Sequence, residues 1–139
     1  MIYLGLPELD NSFYDSSLRY DLHPDLIFVF GSNERGAHGK GAALQAVTEY
    51  GAKYGQGFGL HGRSFAIPTK DFYIRTLPLS AIKKYVDEFK KCLDKTVSFH
   101  FFVTPIGTGL ARRSHEEIAP LFRGVHNCWL PEEWRPYLS

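Results

Sequence analysis

The sequence predicts one α/β domain built on a central, mostly parallel sheet. Its 139 residues, with 44% hydrophobic and 22% charged residues, have the size and composition of a single globular domain. Short apolar runs alternate with amphipathic stretches, as strands and crossover helices do in α/β folds. Residues 26–30 are apolar at every position, which is typical of a strand buried on both faces of a parallel sheet. We therefore expect residues 1–139 to form one domain.

The N-terminal part predicts a strand, a glycine loop and a helix. Residues 1–6 are a first strand candidate, and residues 8–24 show no clear pattern. Glycines follow the apolar run directly. Residues 42–50 are then rich in good helix formers, with Leu44 and Val47 on one side.

The middle of the chain predicts a loop, a short strand and an amphipathic helix. Residues 51–62 contain several glycines and predict an irregular loop, while residues 64–68 predict a strand that ends at Pro68. A helix is expected from Leu79, because apolar residues recur at helical spacing. These residues are Ile82, Val86, Phe89 and Leu93.

The C-terminal part predicts two further strands separated by a helix. Residues 97–104 predict a strand, and residues 115–121 predict a helix capped by Ser114. Residues 125–130 predict the last strand, and residues 131–134 are expected to pack over an edge of the sheet.

Composition and charge exclude several classes of protein. No apolar run approaches the roughly 20 residues that a membrane span requires, and the N-terminus lacks the pattern of a secretory signal. The two cysteines, Cys92 and Cys128, are too few for a disulfide framework and fit a reducing compartment. We therefore expect a cytoplasmic protein without membrane contact.

The net charge of +1 argues against electrostatic wrapping of nucleic acid. Residues 60–113 are nevertheless basic, so nucleic acid stays a distant alternative partner. The six histidines show no spacing typical of zinc, and we expect neither a metal nor a cofactor. His38 and His61 lie in glycine loops, where either side chain is placed to contact a ligand.

Three predicted strands end in segments that suit ligand binding, namely residues 31–41, 69–71 and 105–110. Ligands of open α/β sheets bind at the carboxyl ends of strands, where glycine loops allow close backbone approach. The glycines between Gly36 and Gly41 match neither the nucleoside triphosphatase loop nor the dinucleotide fingerprint. They predict backbone N–H groups and a helix N-terminus that are suited to phosphate.

Taken in order, these segments resemble a macrodomain. Residues 28–43 read FVFGSNERGAHGKGAA and are similar to the macrodomain loop in which a strand ends at an Asn before glycines and an Ala-rich helix. Residues 104–110 read TPIGTGL and are similar to the second macrodomain signature. Residues 67–70, IPTK, resemble the branch that hydrolyses terminal ADP-ribose from proteins. The similarity spans residues 26–122.

This resemblance implies a three-layer α/β/α fold, a mixed and mostly parallel sheet, and a cleft for ADP-ribose or a related ADP-ribosyl nucleotide. Lys70 would act as nucleophile or electrostatic catalyst, and Asn33 would orient the distal ribose. The residues implied to lie along the ligand are Gly31, Ser32, Gly36, His38, Gly39, Gly41, Gly107, Thr108, Gly109 and Leu110. The two glycine loops are expected to converge on the diphosphate.

One departure from the family pattern keeps a second reading open. The hydrolytic branch has an acid directly after its Gly-x-Gly-Leu, where this chain has Ala111. Asp71 and Glu116 are the nearby acids that would have to substitute. The alternative function is a non-catalytic module that binds free ADP-ribose-type nucleotides or ADP-ribosylated macromolecules.

Overall fold

The computed structural model describes residues 11–15, 26–95 and 99–138. These residues contain a six-stranded sheet and helices, so the prediction of an α/β fold is confirmed. The strands are β1 (Ser12–Tyr14), β2 (Leu26–Asn33), β3 (Gly59–His61), β4 (Ser64–Lys70), β5 (His100–Val103) and β6 (Cys128–Pro131). The helices are α1 (Gly41–Glu49), α2 (Leu79–Lys95) and α3 (His115–Ile118), with 3₁₀ segments at Ala119–Phe122 and Glu132–Tyr137.

The sheet is mixed and mostly parallel, with the strand order β1-β6-β5-β2-β4-β3. Only β3 and β4 pair in the antiparallel direction. Strand β2 lies between β5 and β4 and runs parallel to both. The carboxyl ends of these three neighbouring strands therefore lie at one edge of the sheet.

Alternate residues of β2 fill two hydrophobic cores. Phe28 and Phe30 belong to the core that also contains Ala43 of α1. Ile27 and Val29 belong to the other core, to which α2 contributes four fully or nearly fully buried residues. Helices thus cover both faces of the sheet, which explains why the run is apolar at every position.

Helix α1 packs against the sheet through its alanines. Ala43 and Ala46 are buried, whereas Leu44 is 41% exposed. Val47 is partly buried against the same core. The aromatic rings of Phe28 and Tyr50, 4.7 Å apart between centroids, belong to this core. Because large aromatic side chains fill most of the space between sheet and helix, the helix packs there through small alanine side chains.

The predicted elements differ from the structure mainly at the sheet edges. The strand expected at residues 1–6 lies outside the described residues, while edge strand β1 falls in the stretch that showed no pattern. Strand β3 lies within the segment expected to be an irregular loop, at residues 51–62. Both edge strands contain only three residues, too few for an alternating pattern to stand out.

The C-terminal elements follow the prediction with shifted ends. The Ser114 hydroxyl accepts a hydrogen bond from the Glu117 N–H at 3.1 Å, and the Glu117 carboxylate accepts one from the Ser114 N–H at 2.9 Å. This capping box confirms the predicted start of α3. The helix continues as a 3₁₀ segment around Pro120, which has no N–H to donate. Trp134, in the 3₁₀ segment Glu132–Tyr137, is fully buried beside Phe122.

None of the helices in the described part of the chain is both long enough and apolar enough to cross a membrane.

Candidate ligand-binding site

The loops that follow β2, β4 and β5 enclose one cavity of about 540 Å³. Ten of the residues singled out from the sequence line it: Gly31, Ser32, Asn33, Gly39, Gly41, Lys70, Gly107, Thr108, Gly109 and Leu110. Two others, Gly36 and His38, do not line it. The loops approach closely, because a Cβ placed on Gly31 would lie 3.6 Å from the backbone nitrogen of Gly107.

Asn33 holds the loop after β2 in shape. Its side-chain amide donates to the Ala37 carbonyl at 2.8 Å, and its Oδ1 accepts from the Ala37 N–H at 2.9 Å. Both ends of the amide are therefore engaged within the loop, although Asn33 also lines the cavity. Contact between Asn33 and a ribose stays a prediction. Such a contact would use the second N–H of the Asn33 amide or the remaining lone pairs of its Oδ1.

Gly36 has a packing role that the sequence analysis missed. Its φ is +74°, and an added Cβ would lie 2.4 Å from the carbonyl carbon of Gly55. The Gly55 N–H donates to the Gly36 carbonyl at 2.9 Å. A Cβ on Gly57 would lie 2.1 Å from the backbone carbonyl oxygen of Asn33. The second glycine segment therefore supports the first, and only glycine allows backbones to approach this closely.

His38 is fully buried behind the cavity wall. Its Nε2 lies 2.9 Å from the Ser32 Oγ, and its ring meets the Phe30 ring edge-on with 5.3 Å between centroids. Burial lowers the pKa of His38 below the ordinary value of 6.5, and His61 adds to the shift. The imidazole is therefore neutral at neutral pH.

The N-terminus of α1 opens into the cavity. Lys40 occupies the cap position without a side-chain hydrogen bond to the helix, and the first turn contains no acidic residue. The first helical bond runs from the Leu44 N–H to the Lys40 carbonyl. Among the described residues, the N–H groups of Ala42 and Ala43 have no partner, and both residues line the cavity. A helix start of this kind attracts an anion.

The loop after β5 presents further backbone donors. The Ile106 N–H donates to Thr104, and the Gly107 carbonyl accepts from Arg113. No described group accepts from the N–H groups of Gly109 and Leu110, which also line the cavity. The loop therefore has unpaired donors on its cavity segment.

Lys70 ends β4 beside Asn33, its partner in the register of β2 and β4. The side chain is half-buried and lines the cavity. Within the described ranges, no hydrogen bond or ion pair holds its Nζ. Its backbone carbonyl accepts from the Glu34 N–H at 2.9 Å.

The hairpin after Lys70 carries an apolar side chain into the cavity. The Asp71 carboxylate accepts from the Tyr73 and Arg75 N–H groups at 2.8 and 2.9 Å. The Arg75 N–H is the largest cause of the lowered pKa of Asp71. These bonds hold Ile74 at a φ of +66°, a conformation rare for β-branched residues. Only the folded hairpin brings Ile74 to the cavity lining.

The cavity lining carries positive charge and no carboxylate within the described part of the chain. Arg35, Lys40 and Lys70 line it, and no Asp or Glu does. Glu34, which lies in the same loop, instead accepts a hydrogen bond from the Tyr85 hydroxyl at 2.6 Å. Burial raises the pKa of Tyr85 to about 12, with the Glu34 contact adding to the shift.

The structure places neither candidate substitute acid at the cavity. Asp71 is engaged with its own hairpin, and Glu116 lies on the exposed side of α3. Ala111 does line the cavity and is only 5% exposed. Its carbonyl accepts from the Thr76 hydroxyl at 2.9 Å, which joins the loops after β4 and β5. In the described ranges, no cluster of three or more His, Cys, Asp or Glu side chains suits a metal ion.

Several lining residues had not been singled out from the sequence. Arg35 and Lys40 lie inside the quoted glycine motif, so the motif itself contained that signal. Thr69 lies in the predicted strand-end segment 69–71, whereas Ile74 joins the lining through the hairpin, and no spacing pattern indicates Ile74.

Comparison with protein-family models, with curated proteins and with solved structures finds no match.

Proposed function

We propose that the cavity at the strand ends binds ADP-ribose or a closely related ADP-ribosyl nucleotide. The observation that supports this most is the convergence of two sets of backbone donors on one cavity, namely an uncapped helix start and the loop after β5. Among the described residues, these N–H groups have no partner and no carboxylate lines the cavity. Backbone donors at a helix N-terminus suit a diphosphate. The volume of about 540 Å³ lies within the usual range of roughly 300–1,000 Å³ for small-molecule sites.

The sheet and its two helical layers are compatible with the macrodomain-like arrangement that the sequence implies. The motif resemblance and the lack of carboxylates among the described residues of the cavity lining both support this ligand class. Membership of the macrodomain family is part of this proposal.

Calorimetry with ADP-ribose tests the binding proposal. We expect a Kd below about 1 mM, which corresponds to roughly 4 kcal/mol of binding free energy. Ala42→Glu places a carboxylate at the N-terminus of α1 within the cavity lining, so it should weaken binding by at least about tenfold, or 1.4 kcal/mol. Gln45→Glu adds the same charge on an exposed position of the same helix and serves as the control. Absence of heat at millimolar ADP-ribose would refute the proposal.

The second candidate function is hydrolysis of an ADP-ribosyl ester of an acidic side chain. It is favoured by Lys70, whose ammonium group lines the cavity without a partner among the described residues. A positive charge at this position would stabilise the carboxylate as it leaves the anomeric carbon.

Release of ADP-ribose from a peptide ADP-ribosylated on glutamate tests this second function. We expect Lys70→Ala to abolish release, whereas Lys84→Ala, on the exposed side of α2, should leave the rate unchanged. Equal rates in both variants would remove Lys70 from the reaction. Binding without release in the unaltered protein would favour the non-catalytic module, as Ala111 suggests. A steep salt dependence of nucleic-acid binding would instead support the distant alternative.

A further inference from the structure

Ester hydrolysis at this site would need a group that takes a proton from the attacking water. No carboxylate of the described residues lines the cavity, and the position of the expected acid is Ala111. General acid–base groups typically contribute about 10²–10⁴ in rate. The proton acceptor would therefore have to be another polar side chain at or behind the cavity wall.

Ser32 and His38 form a hydrogen-bonded pair between the cavity and the protein interior. The Ser32 Oγ lies 2.9 Å from the His38 Nε2. Ser32 lines the cavity and is 4% exposed, whereas His38 is fully buried and does not line it. Ser32 is therefore the member of the pair that lies at the cavity.

The second ring nitrogen of His38 is unusual. Its Nδ1 is buried and has no hydrogen-bond partner within the described ranges. A buried nitrogen without a partner costs stability, so its retention needs an explanation. If Nδ1 carries the proton, Nε2 is free to accept from the Ser32 hydroxyl. The hydroxyl then gives up its longer hydrogen bond to the Asn33 carbonyl, at 3.4 Å, for the 2.9 Å contact with Nε2.

The surroundings of the ring keep it neutral. Burial is the main cause of the lowered pKa of His38, and the charge interaction with His61 lowers it further. The aromatic rings of Phe30 and Tyr54 lie 5.3 and 5.8 Å from the imidazole, centroid to centroid. A neutral imidazole in this setting can accept a proton above its lowered pKa.

We propose that Ser32 and His38 form a proton relay that supplies the acid–base function of this cavity. This inference rests on the proposed ester hydrolysis. The Ser32 hydroxyl is the group that would touch the attacking water, and His38 acts through Ser32. A hydroxyl paired with an imidazole is one of the arrangements by which proteins activate an oxygen nucleophile.

The step balances without a further reactant. The water oxygen forms a bond to the anomeric carbon of the distal ribosyl group, and the bond from that carbon to the ester oxygen breaks. The leaving group keeps the electron pair and departs as a carboxylate beside Lys70. The water proton passes to the Ser32 Oγ while the Ser32 proton passes to the His38 Nε2. The imidazolium then returns its proton to solvent through Ser32.

The pH dependence of turnover is one test. Release of ADP-ribose from the glutamate-linked peptide should fall only at pH values below the ordinary histidine pKa of 6.5. The pKa of His38 is lowered by burial, and a protonated His38 can no longer accept. Ser32→Ala and His38→Gln should each lower kcat at pH 7.5 by about 10²–10⁴ and remove this acid limb from the remaining activity. Their Kd for ADP-ribose should change by less than about tenfold.

Ser80→Ala and His126→Gln are matched controls, since both lie outside the cavity lining. They should keep the rate and the acid limb of the unaltered protein. An unchanged kcat in Ser32→Ala would overturn the relay. So would binding of ADP-ribose without turnover at every pH, which would leave the binding proposal intact.

Nitrogen NMR of the His38 ring tests the relay without any ligand. We expect the proton on Nδ1 at neutral pH, and Ser32→Ala should shift the Nε2 resonance. A proton on Nε2 would overturn the relay even if turnover is observed. This measurement needs no nucleotide. It therefore tests the hydrogen bond between Ser32 and His38 even if ADP-ribose does not bind and the proposed function fails.

Discussion

The loop after β2 is held by side chains and by a second glycine segment, whereas the loop after β5 is held mainly by its own backbone. In the first loop, Asn33 closes on Ala37, and Gly36 packs against the backbone of Gly55. In the second, short backbone bonds link residues 104–113 to one another. A Cβ on Gly109 would meet nothing within 4 Å.

The two loops show that glycines in similar motifs serve different purposes. Gly36 is required because other backbone occupies the space of its side chain. Gly109 leaves open space, which would let a ligand approach its N–H group. Glycine content alone therefore does not distinguish a packing position from a binding position.

The largest expected effect is the loss of stability in Gly36→Ala. Its Cβ would lie 2.4 Å from the Gly55 backbone, at a φ of +74°, so both the loop and its support must shift. We expect a loss of about 3 kcal/mol or more in the free energy of unfolding. Urea denaturation would measure it, and a loss below about 1 kcal/mol would show that the two segments separate easily.

An intermediate effect is expected for Thr76→Val, which removes the hydroxyl that donates to the Ala111 carbonyl. The loop after β5 would lose its link to the hairpin after β4, at a cost of about 1 kcal/mol in unfolding free energy. Thr48→Val, at an exposed position of α1, is the control for the substitution, because the Thr48 hydroxyl donates only to carbonyls of its own helix. Equal stability of the two variants would show that the link between the loops contributes no more than a local hydrogen bond.

The smallest stability effect is expected for Gly109→Ala. With nothing within 4 Å of its Cβ, the unfolding free energy should change by less than about 0.5 kcal/mol. Binding of ADP-ribose should weaken, because the methyl group would stand in the open space before the ligand. The comparison between the loops would fail if Gly109→Ala destabilised the protein as much as Gly36→Ala.

The long elements could be predicted because each has a strong local pattern. Residues 26–30 of strand β2 are apolar at every position. Helix α2 places Ile82, Val86 and Phe89 at helical spacing, and all three are fully buried. Helix α1 buries Ala43 and Ala46 rather than Leu44, because the aromatic side chains of the neighbouring strand fill the space between helix and sheet. A helical pattern read alone cannot contain that information.

The candidate site could be predicted only in part. Its glycines, Asn33 and Lys70 lie in motifs at strand ends, and parallel strands bring such ends together. The burial of His38 behind Ser32 could not be predicted, because a histidine in a glycine loop suits exposure equally well. The arrival of Ile74 at the lining depends on a hairpin closed by Asp71.

The sequence by itself determined the α/β class, the central strand, the amphipathic helix α2 and the loops suited to a ligand. These follow from local periodicity and from glycine at strand ends. Tertiary structure alone decided which glycines support the wall, that no carboxylate of the described residues lines the cavity, and that Ser32 meets His38. Such features depend on contacts between segments distant in the chain, and no local pattern encodes the distances that separate them.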